Sequence, residues 1–225
     1  MHKLRYGEIV SDDPEFIPEV TVIRLPVYRC CLVELTEQGI TTVSSARLAA
    51  MAGVNAAKVR KDLSYLGSYG TRGVGYDVEF LLFEVSRELG MTTDRPVVIV
   101  GAGNLGSALV GYSGFNDRGF PVRAIFDNDP TRIGISLGDF EVMDLALLGE
   151  VVERDEVAIG VIATPPGSAQ AVADALVEVG IRSILNFAPC ILDLDRSIAV
   201  RRVDLASELQ VLSFYQRQAD PLGSQ

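Results

Sequence analysis

The chain has a single histidine, His2, and only three lysines, Lys3, Lys58 and Lys61. Everything after Lys61 therefore lacks both of the side chains most often used to move protons near neutral pH. Cysteine is scarce as well. Cys30 and Cys31 are adjacent and Cys190 is far away, with no CxxC or zinc-ligand spacing. This excludes a disulfide framework or a metal ribbon, suits a reducing compartment, and leaves buried structural thiols as the expected role. No run of eighteen or more uncharged apolar residues occurs, and the start, MHKLRYGEIVSDDPEF, has no apolar signal core. Neither a membrane span nor export is expected, and the location expected is cytoplasmic.

What the chain does have is 225 residues, 48% of them hydrophobic, at a mean hydropathy of +0.25. That is enough for one large domain or two small ones, each with its own core. The formal charge of −10 argues against indiscriminate nucleic-acid binding. The signs, however, are unevenly distributed. From residue 96 onward nine Arg face seventeen Asp and Glu, whereas between Ser45 and Arg72 five basic residues (Arg47, Lys58, Arg60, Lys61 and Arg72) face one acid, Asp62.

This asymmetry predicts two domains. A tail over 1–17 precedes a first domain over 18–78. The stretch VEFLLFEVSRELG repeats its apolar residues at helical spacing and, with the polar link TTDRP, forms a connector over 79–95. A second domain follows over 96–204, and 205–225 form a C-terminal helix with a short tail.

In the second domain, VVIV (97–100) is a short β-branched run suited to a parallel strand buried on both faces. Gly101, Gly103 and Gly106 follow at GxGxxG spacing, with Ala102, Asn104 and Leu105 between them, and NLGSALVGY continues as a helix. The first glycine permits a tight turn, the second lets backbone amides approach a pyrophosphate, and the third lets helix and strand pack closely. The next strand, VRAIFD, ends in Asp127, 21 positions after Gly106. There an acid accepts both ribose hydroxyls and repels a 2′-phosphate, so the pattern predicts an NAD(H) site, although Asp127 also suits a solvated turn in FDNDP. Further strands, VAIGVIAT and SILNFAP, flank the helix GSAQAVADALVEVG. This alternation predicts an open parallel sheet with ligands at the carboxyl ends of its strands, where Thr164, Pro165 and Asn186 would meet the nicotinamide half. Ordinary strand-to-helix turns would look the same.

A dehydrogenase would need a proton-handling group here. The second domain has no His, no Lys and no YxxxK pair, and Tyr112 lies beyond the glycine loop without a lysine partner. The pattern favours binding the cofactor without turning it over.

The first domain supplies a different kind of output. TTVSSARLAAMAGVNAAKVRKDLSYLG reads as helix, turn, helix: Ser44 or Ser45 caps the first helix, Gly53 breaks it, and Asn55 caps the second. On the second helix Val59, Leu63 and Leu66 form an apolar stripe, leaving Lys58, Arg60, Lys61 and Ser64 on a basic polar face next to Ser45. Such a helix fits a major groove. GSYGTRGVGYDV then reads as a glycine-rich wing tipped by Arg72, suited to a narrow minor groove.

The stretches VNAAKVRKDLSYLGSYGTRGVGYDV, VGAGNLGSALVGYSGF, GVIATP, SILNFAP and VDLASELQ closely resemble the Rex family of redox-sensing transcriptional repressors, from about Val22 to Phe214. The resemblance implies an α/β protein: an N-terminal winged helix-turn-helix, a Rossmann-like doubly wound parallel sheet, and a C-terminal helix exchanged between subunits. It implies a homodimer, not an enzyme, that binds palindromic double-stranded operator DNA, is released by NADH, and is permitted or favoured on DNA by NAD+. Arg60, Lys61 and Arg72 match the family's DNA-contacting positions, and the glycine loop with Asp127 matches its cofactor cradle. Tyr112 and Asp204 match residues that rearrange between the two states. Their family partner is an arginine on the first helix. Here Cys30 occupies that position and Arg29 lies one residue earlier, 100° around the helix.

Overall fold

The computed structural model describes residues 17–67, 70 and 74–219. The chain divides into two compact units, Met1–Thr93 and Asp94–Gln225.

The first unit runs α1 (Glu19–Val22), α2 (Leu25–Glu37), β1 (Thr42–Val43), α3 (Ser45–Met51), α4 (Ala56–Ser64), β2 (Tyr76–Asp77) and α5 (Val78–Glu88). Ser44, not Ser45, caps α3 by accepting from the Arg47 amide, and Asn55 caps α4 by accepting from the Lys58 amide. Between the two helices Gly53 sits at φ +67°, a left-handed turn that glycine adopts without a Cβ penalty. Val59, Leu63 and Leu66 enter a core with Leu25, Leu32, Leu48 and Tyr76. α5 is more than a connector, because Val78, Leu81 and Val85 are buried in that same core. β1 pairs with β2 antiparallel, Val43 opposite Tyr76. The tip of the expected wing, including Arg72, lies outside the described residues, as does His2.

The second unit runs β3 (Val97–Val100), α6 (Asn104–Val110), α7 (Ser113–Asn116), β4 (Val122–Asp127), β5 (Ser136–Leu137), β6 (Phe140–Asp144), α8 (Leu148–Arg154), β7 (Ile159–Ile162), α9 (Pro166–Glu178), β8 (Ser183–Asn186), β9 (Ala199–Arg202) and α10 (Leu205–Ala219). Spatial order across the sheet is β5-β6-β4-β3-β7-β8-β9, with every pairing parallel except the β5–β6 hairpin. Counting only the parallel strands, this is the 3-2-1-4-5-6 order of a Rossmann sheet, whose switch point falls between β3 and β7. All four residues of β3 are buried, as the sequence of VVIV requires of a central strand.

Helices α8 and α9 pack on one face of this sheet through Leu148, Val151, Val152, Val172 and Leu176. Val110 of α6 packs on the other face against Ile99, Ile125 and Val161. Between β8 and β9 the chain makes no helix. The second face is accordingly left with an apolar groove of about 340 Å³, lined by Phe115, Phe120, Val161 and Leu185 among others. Among the described residues no helix is long and apolar enough to cross a membrane.

Candidate dinucleotide cradle and nucleic-acid interface

At the switch point β3 turns sharply into α6. Gly101 has φ +107°, and a Cβ there would lie 2.7 Å from the Ala163 carbonyl oxygen and 2.8 Å from Thr164 Cγ2. A Cβ on Gly106 would lie 1.8 Å from the Gly101 carbonyl oxygen, so only glycine lets α6 start this close to β3. Gly103 differs, because a Cβ there would meet nothing within 4 Å. It is the N-cap of α6 and no side chain caps the helix. The first amides of an α-helix have no intrahelical acceptor, so this end presents donors to the open space beside Gly103. Asn104 and Leu105, in the first turn, are exposed, while Ala102 is buried.

Across the crevice Thr164 follows β7, and its Oγ1 is buried without a hydrogen-bond partner. A buried hydroxyl left alone costs about 1–3 kcal/mol, so an unmet donor and acceptor at a sheet's ligand edge fits a site awaiting a polar ligand. Pro165 is exposed and caps α9.

Asp127 ends β4 beside the loop. Its Oδ2 accepts from the Ala102 amide at 2.8 Å, and its Oδ1 accepts from the Asn128 and Asp129 amides at 2.8 and 3.0 Å. The carboxylate thus braces the glycine loop from the place where a ribose would meet it. Arg132 completes the brace, which the sequence pattern did not point to. Its guanidinium donates to the Ala102 carbonyl at 2.6 Å, and the Ser107 hydroxyl donates to the same oxygen at 3.2 Å. Nothing in the spacing of DNDPTRIG marks that arginine as part of the loop.

Asn186 is placed differently from the expectation. Its side chain is 1% exposed; Oδ1 accepts from the Ala188 amide and Nδ2 donates to the Cys190 carbonyl. Both ends of the amide are engaged by its own loop, which shapes the end of β8.

In the first unit, Lys58, Arg60, Lys61 and Ser64 are all exposed on α4. Arg60 donates to the Ser45 hydroxyl at 3.1 Å, joining the middle of α4 to the start of α3, and the Ser64 hydroxyl donates to the Lys61 carbonyl. The acid within this basic run faces inward. Asp62 Oδ1 accepts from Thr21 Oγ1 at 2.9 Å and from an Arg24 terminal nitrogen at 2.6 Å. Its Oδ2 accepts from Arg24 Nε and from the Tyr28 hydroxyl, both at 2.6 Å. Burial alone would raise the Asp62 pKa, but the hydrogen bonds from Arg24, Tyr28 and Thr21 outweigh it and hold the carboxyl below its ordinary range. Tyr28 shifts the opposite way, pushed up by burial and by its bond to Asp62.

The remaining expected residues each have a local setting of their own. Tyr112 is 50% exposed and packs edge-to-face on Phe115. Asp204 caps α10, accepting from the Ala206 and Ser207 amides and from the Ser207 hydroxyl, and that hydroxyl holds its pKa down. Arg29 donates to Ser86 at 3.1 Å within its own unit, while Cys30 is exposed. This corrects the expectation of buried thiols: only Cys31 is fully in the core and Cys190 is half-buried. The buried face of α2 runs through Tyr28, Cys31, Leu32 and Leu35, and Cys30, 100° from Cys31, falls outside it.

A helix-turn-helix with a cationic face, in one chain with a Rossmann sheet holding a glycine loop at its switch point, is the make-up of a ligand-responsive DNA-binding regulator. Comparison with known proteins agrees. Residues 16–64 match the family model described as putative DNA-binding protein N-terminus, and residues 92–190 match the CoA binding domain. The redox-sensing transcriptional repressor Rex of Streptomyces coelicolor is 56% identical over 202 residues, 90% of this chain and 78% of the relative. That of Carboxydothermus hydrogenoformans is 50% identical over 198 residues, covering 88% and 95%. Among solved structures, the repressor RSP in complex with β-NAD+ and operator DNA superposes with a TM-score of 0.84 at 34% identity, covering 91% of this chain and 94% of that one. RSP in complex with β-NADH gives 0.82 at 33% identity, covering 95% and 97%. The chain belongs to the Rex family of redox-sensing transcriptional repressors.

Proposed function

We infer that this chain represses transcription according to the NADH/NAD+ ratio, holding operator DNA through its first unit and letting go of it when the second unit holds NADH. The observation that carries this reading is the pairing, in one chain, of an exposed cationic helix α4 with a switch-point cradle whose Thr164 hydroxyl lacks a partner. The residues present fit the dinucleotide. Gly103, Asn104, Leu105 and Gly106 would offer the pyrophosphate backbone amides, while Gly101 and Ala102, whose amides donate to the Phe126 carbonyl and to Asp127, would shape the loop around it. Asp127 would hold the ribose, and Thr164 and Pro165 the nicotinamide end. Asn186 contributes by fixing its loop. The bound cofactor supplies the redox signal, and no hydride moves because the unit offers no His or Lys to manage the proton. Lys58, Arg60, Lys61 and Arg72 would meet DNA, with Ser45 and Ser64 beside them.

The palindromic operator calls for a two-fold dimer. On α10 Leu205, Leu209, Leu212 and Tyr215 are all at least 60% exposed, a stripe too apolar to remain in water. The groove on the second unit's sheet face is of matching character. Exchange of α10 between two copies would bury both, placing Asp204 and Tyr112 where the subunits meet. We place the protein in the cytoplasm, where the DNA of the bacterial relatives is.

A ligand with equal affinity for both states shifts nothing, so NADH must be held more tightly in the DNA-free state, and the coupling must be reciprocal. The test is NADH titration by fluorescence with and without operator DNA at one salt concentration, since phosphate contacts make DNA binding steeply salt-dependent. Saturating operator should weaken NADH by roughly 5- to 150-fold. Identical affinities with operator bound throughout would sink the reading. Arg29 is drawn to Ser86 and Cys30 brings no cation to the exposed position, so the factor is expected near the lower end.

A further inference from the structure

We propose that Asp62 is the positioning residue of the DNA-reading helix: gripped from α1 and α2, it sets the rotation of α4 about its own axis and so fixes where Lys58, Arg60 and Lys61 present their charges. This rests on the DNA-binding reading above. Helix α4 is held to its unit in two ways. One is the apolar stripe of Val59, Leu63 and Leu66, whose attraction is non-directional and tolerates a helix rolling by part of a residue. The other is the Asp62 carboxylate, 1% exposed, which accepts four hydrogen bonds at 2.6–2.9 Å from Thr21, Arg24 and Tyr28. Those bonds are directional, and the two from Arg24 form a planar fork that admits a narrow range of angles.

Stability alone is a weak reason for this arrangement. A buried ion pair can often be replaced by apolar side chains of similar volume without loss, because desolvation offsets most of the attraction. What apolar residues would not reproduce is the fixed angle. There is an electrostatic gain too. Asp62 adjoins Lys61 in sequence and would partly cancel the cationic face were it exposed. Turned inward, its charge is matched by Arg24 instead.

The effect belongs to specificity. Base-edge contacts depend on angle, whereas attraction to phosphates depends mainly on charge. Tyr28→Phe and Thr21→Val each remove one hydrogen bond to Asp62 while keeping nearly the same shape and leaving every cation of α4 in place. The full-length protein would be titrated with an operator duplex and with a scrambled duplex of equal length, at one salt concentration and well below the melting temperature. Each variant should lose roughly three- to tenfold in operator affinity, about the net worth of one ordinary hydrogen bond. Binding to the scrambled duplex should stay within about twofold, since the phosphate contacts are unchanged. Using two variants guards against one that fails to fold. A reduced ratio of operator to scrambled affinity supports the proposal. An unchanged ratio in the folded variants overturns it, whatever happens to the melting temperature, and makes Asp62 a stability group only. A native protein that does not discriminate between the duplexes would instead sink the DNA-binding reading itself.

Discussion

The three glycines of the loop after β3 do two different jobs, and single methyl groups separate them. At Gly103 the backbone has φ −70°, which any residue adopts, and a Cβ meets nothing within 4 Å. Gly103→Ala should therefore fold as well as the native chain, or gain about 0.4–1 kcal/mol from a less flexible unfolded state. The same methyl would stand in the open space where a pyrophosphate must approach the first amides of α6. Forcing one extra methyl into a close-packed contact costs typically 1–3 kcal/mol, or roughly 5- to 150-fold in NADH affinity. At Gly106 the balance is reversed. A Cβ 1.8 Å from the Gly101 carbonyl oxygen cannot be accommodated without moving α6 off β3. Gly106→Ala should cost about 1–3 kcal/mol or more in folding, lowering the melting temperature of the second unit by roughly 3–15 °C. The assay is thermal unfolding without ligand, paired with NADH titration by fluorescence at 25 °C. Native NADH affinity in Gly103→Ala would refute the placement of the pyrophosphate on this loop. An unaltered melting temperature in Gly106→Ala would refute the packing argument.

Further outcomes are expected. Lys61→Ala should weaken operator binding by about 1–3 kcal/mol while leaving NADH titrations unchanged. Asp127→Ala should lower NADH affinity and narrow the gap to NADPH, and because it also frees three backbone amides it should lower the melting temperature of the second unit; Arg132→Gln should weaken NADH without improving NADPH, which paired titrations would show. Asp204→Ala should lose the helix cap and weaken the dimer in sedimentation, whereas Asp204→Asn keeps an acceptor for the cap and isolates the role of the charge in coupling. With its pKa held below the unfolded value of about 3.9, Asp62 contributes stability in full above that pH and loses it as pH falls further, so Asp62→Asn should flatten the acid limb of first-unit melting. Tyr28, raised in the fold, contributes below about pH 10 and loses it above, so Tyr28→Phe should flatten the alkaline limb.

The elements that were legible in the sequence are those whose periodicity has one physical cause. VVIV could only be a central strand, Asn55 and Ser44 mark helix starts by the acceptor they carry, and Val59, Leu63 and Leu66 share a face because 3.6 residues make a turn. What periodicity does not encode is which way a polar residue turns once a second element arrives. In the sequence Asp62 is only the one acid among five basic residues, yet its partners are 34–41 residues away on α1 and α2. Arg132 was silent for the same reason: its acceptor is a backbone carbonyl thirty residues earlier, and any residue type has a carbonyl. The vicinal cysteines show the converse limit. Composition favours burial for both, but the buried face of α2 takes in Cys31 with Leu32 and leaves Cys30 outside.

Two acids and an amide expected at ligand or switch positions share a further property. Asp127 accepts from three amides, Asp204 from two amides and a hydroxyl, and Asn186 closes its own loop. A strand or helix end leaves backbone donors exposed, so the acceptor that a ligand would use is also the one the chain end requires. Function and folding then compete for the same lone pairs, and substitution to alanine removes both together. A carboxylate has about four acceptor sites, which leaves Asp127 room for a further donor beyond its three amides. Thr164 is the exception among them. Its hydroxyl is buried, serves no turn and meets no partner, so its polarity has no structural use that the fold alone supplies. Thr164→Val should consequently leave folding unharmed or improved while weakening the hold on the dinucleotide. Measured by melting and by NADH titration, the opposite pattern, lost stability with native affinity, would mean that the crevice between β3 and β7 is not where the ligand lies.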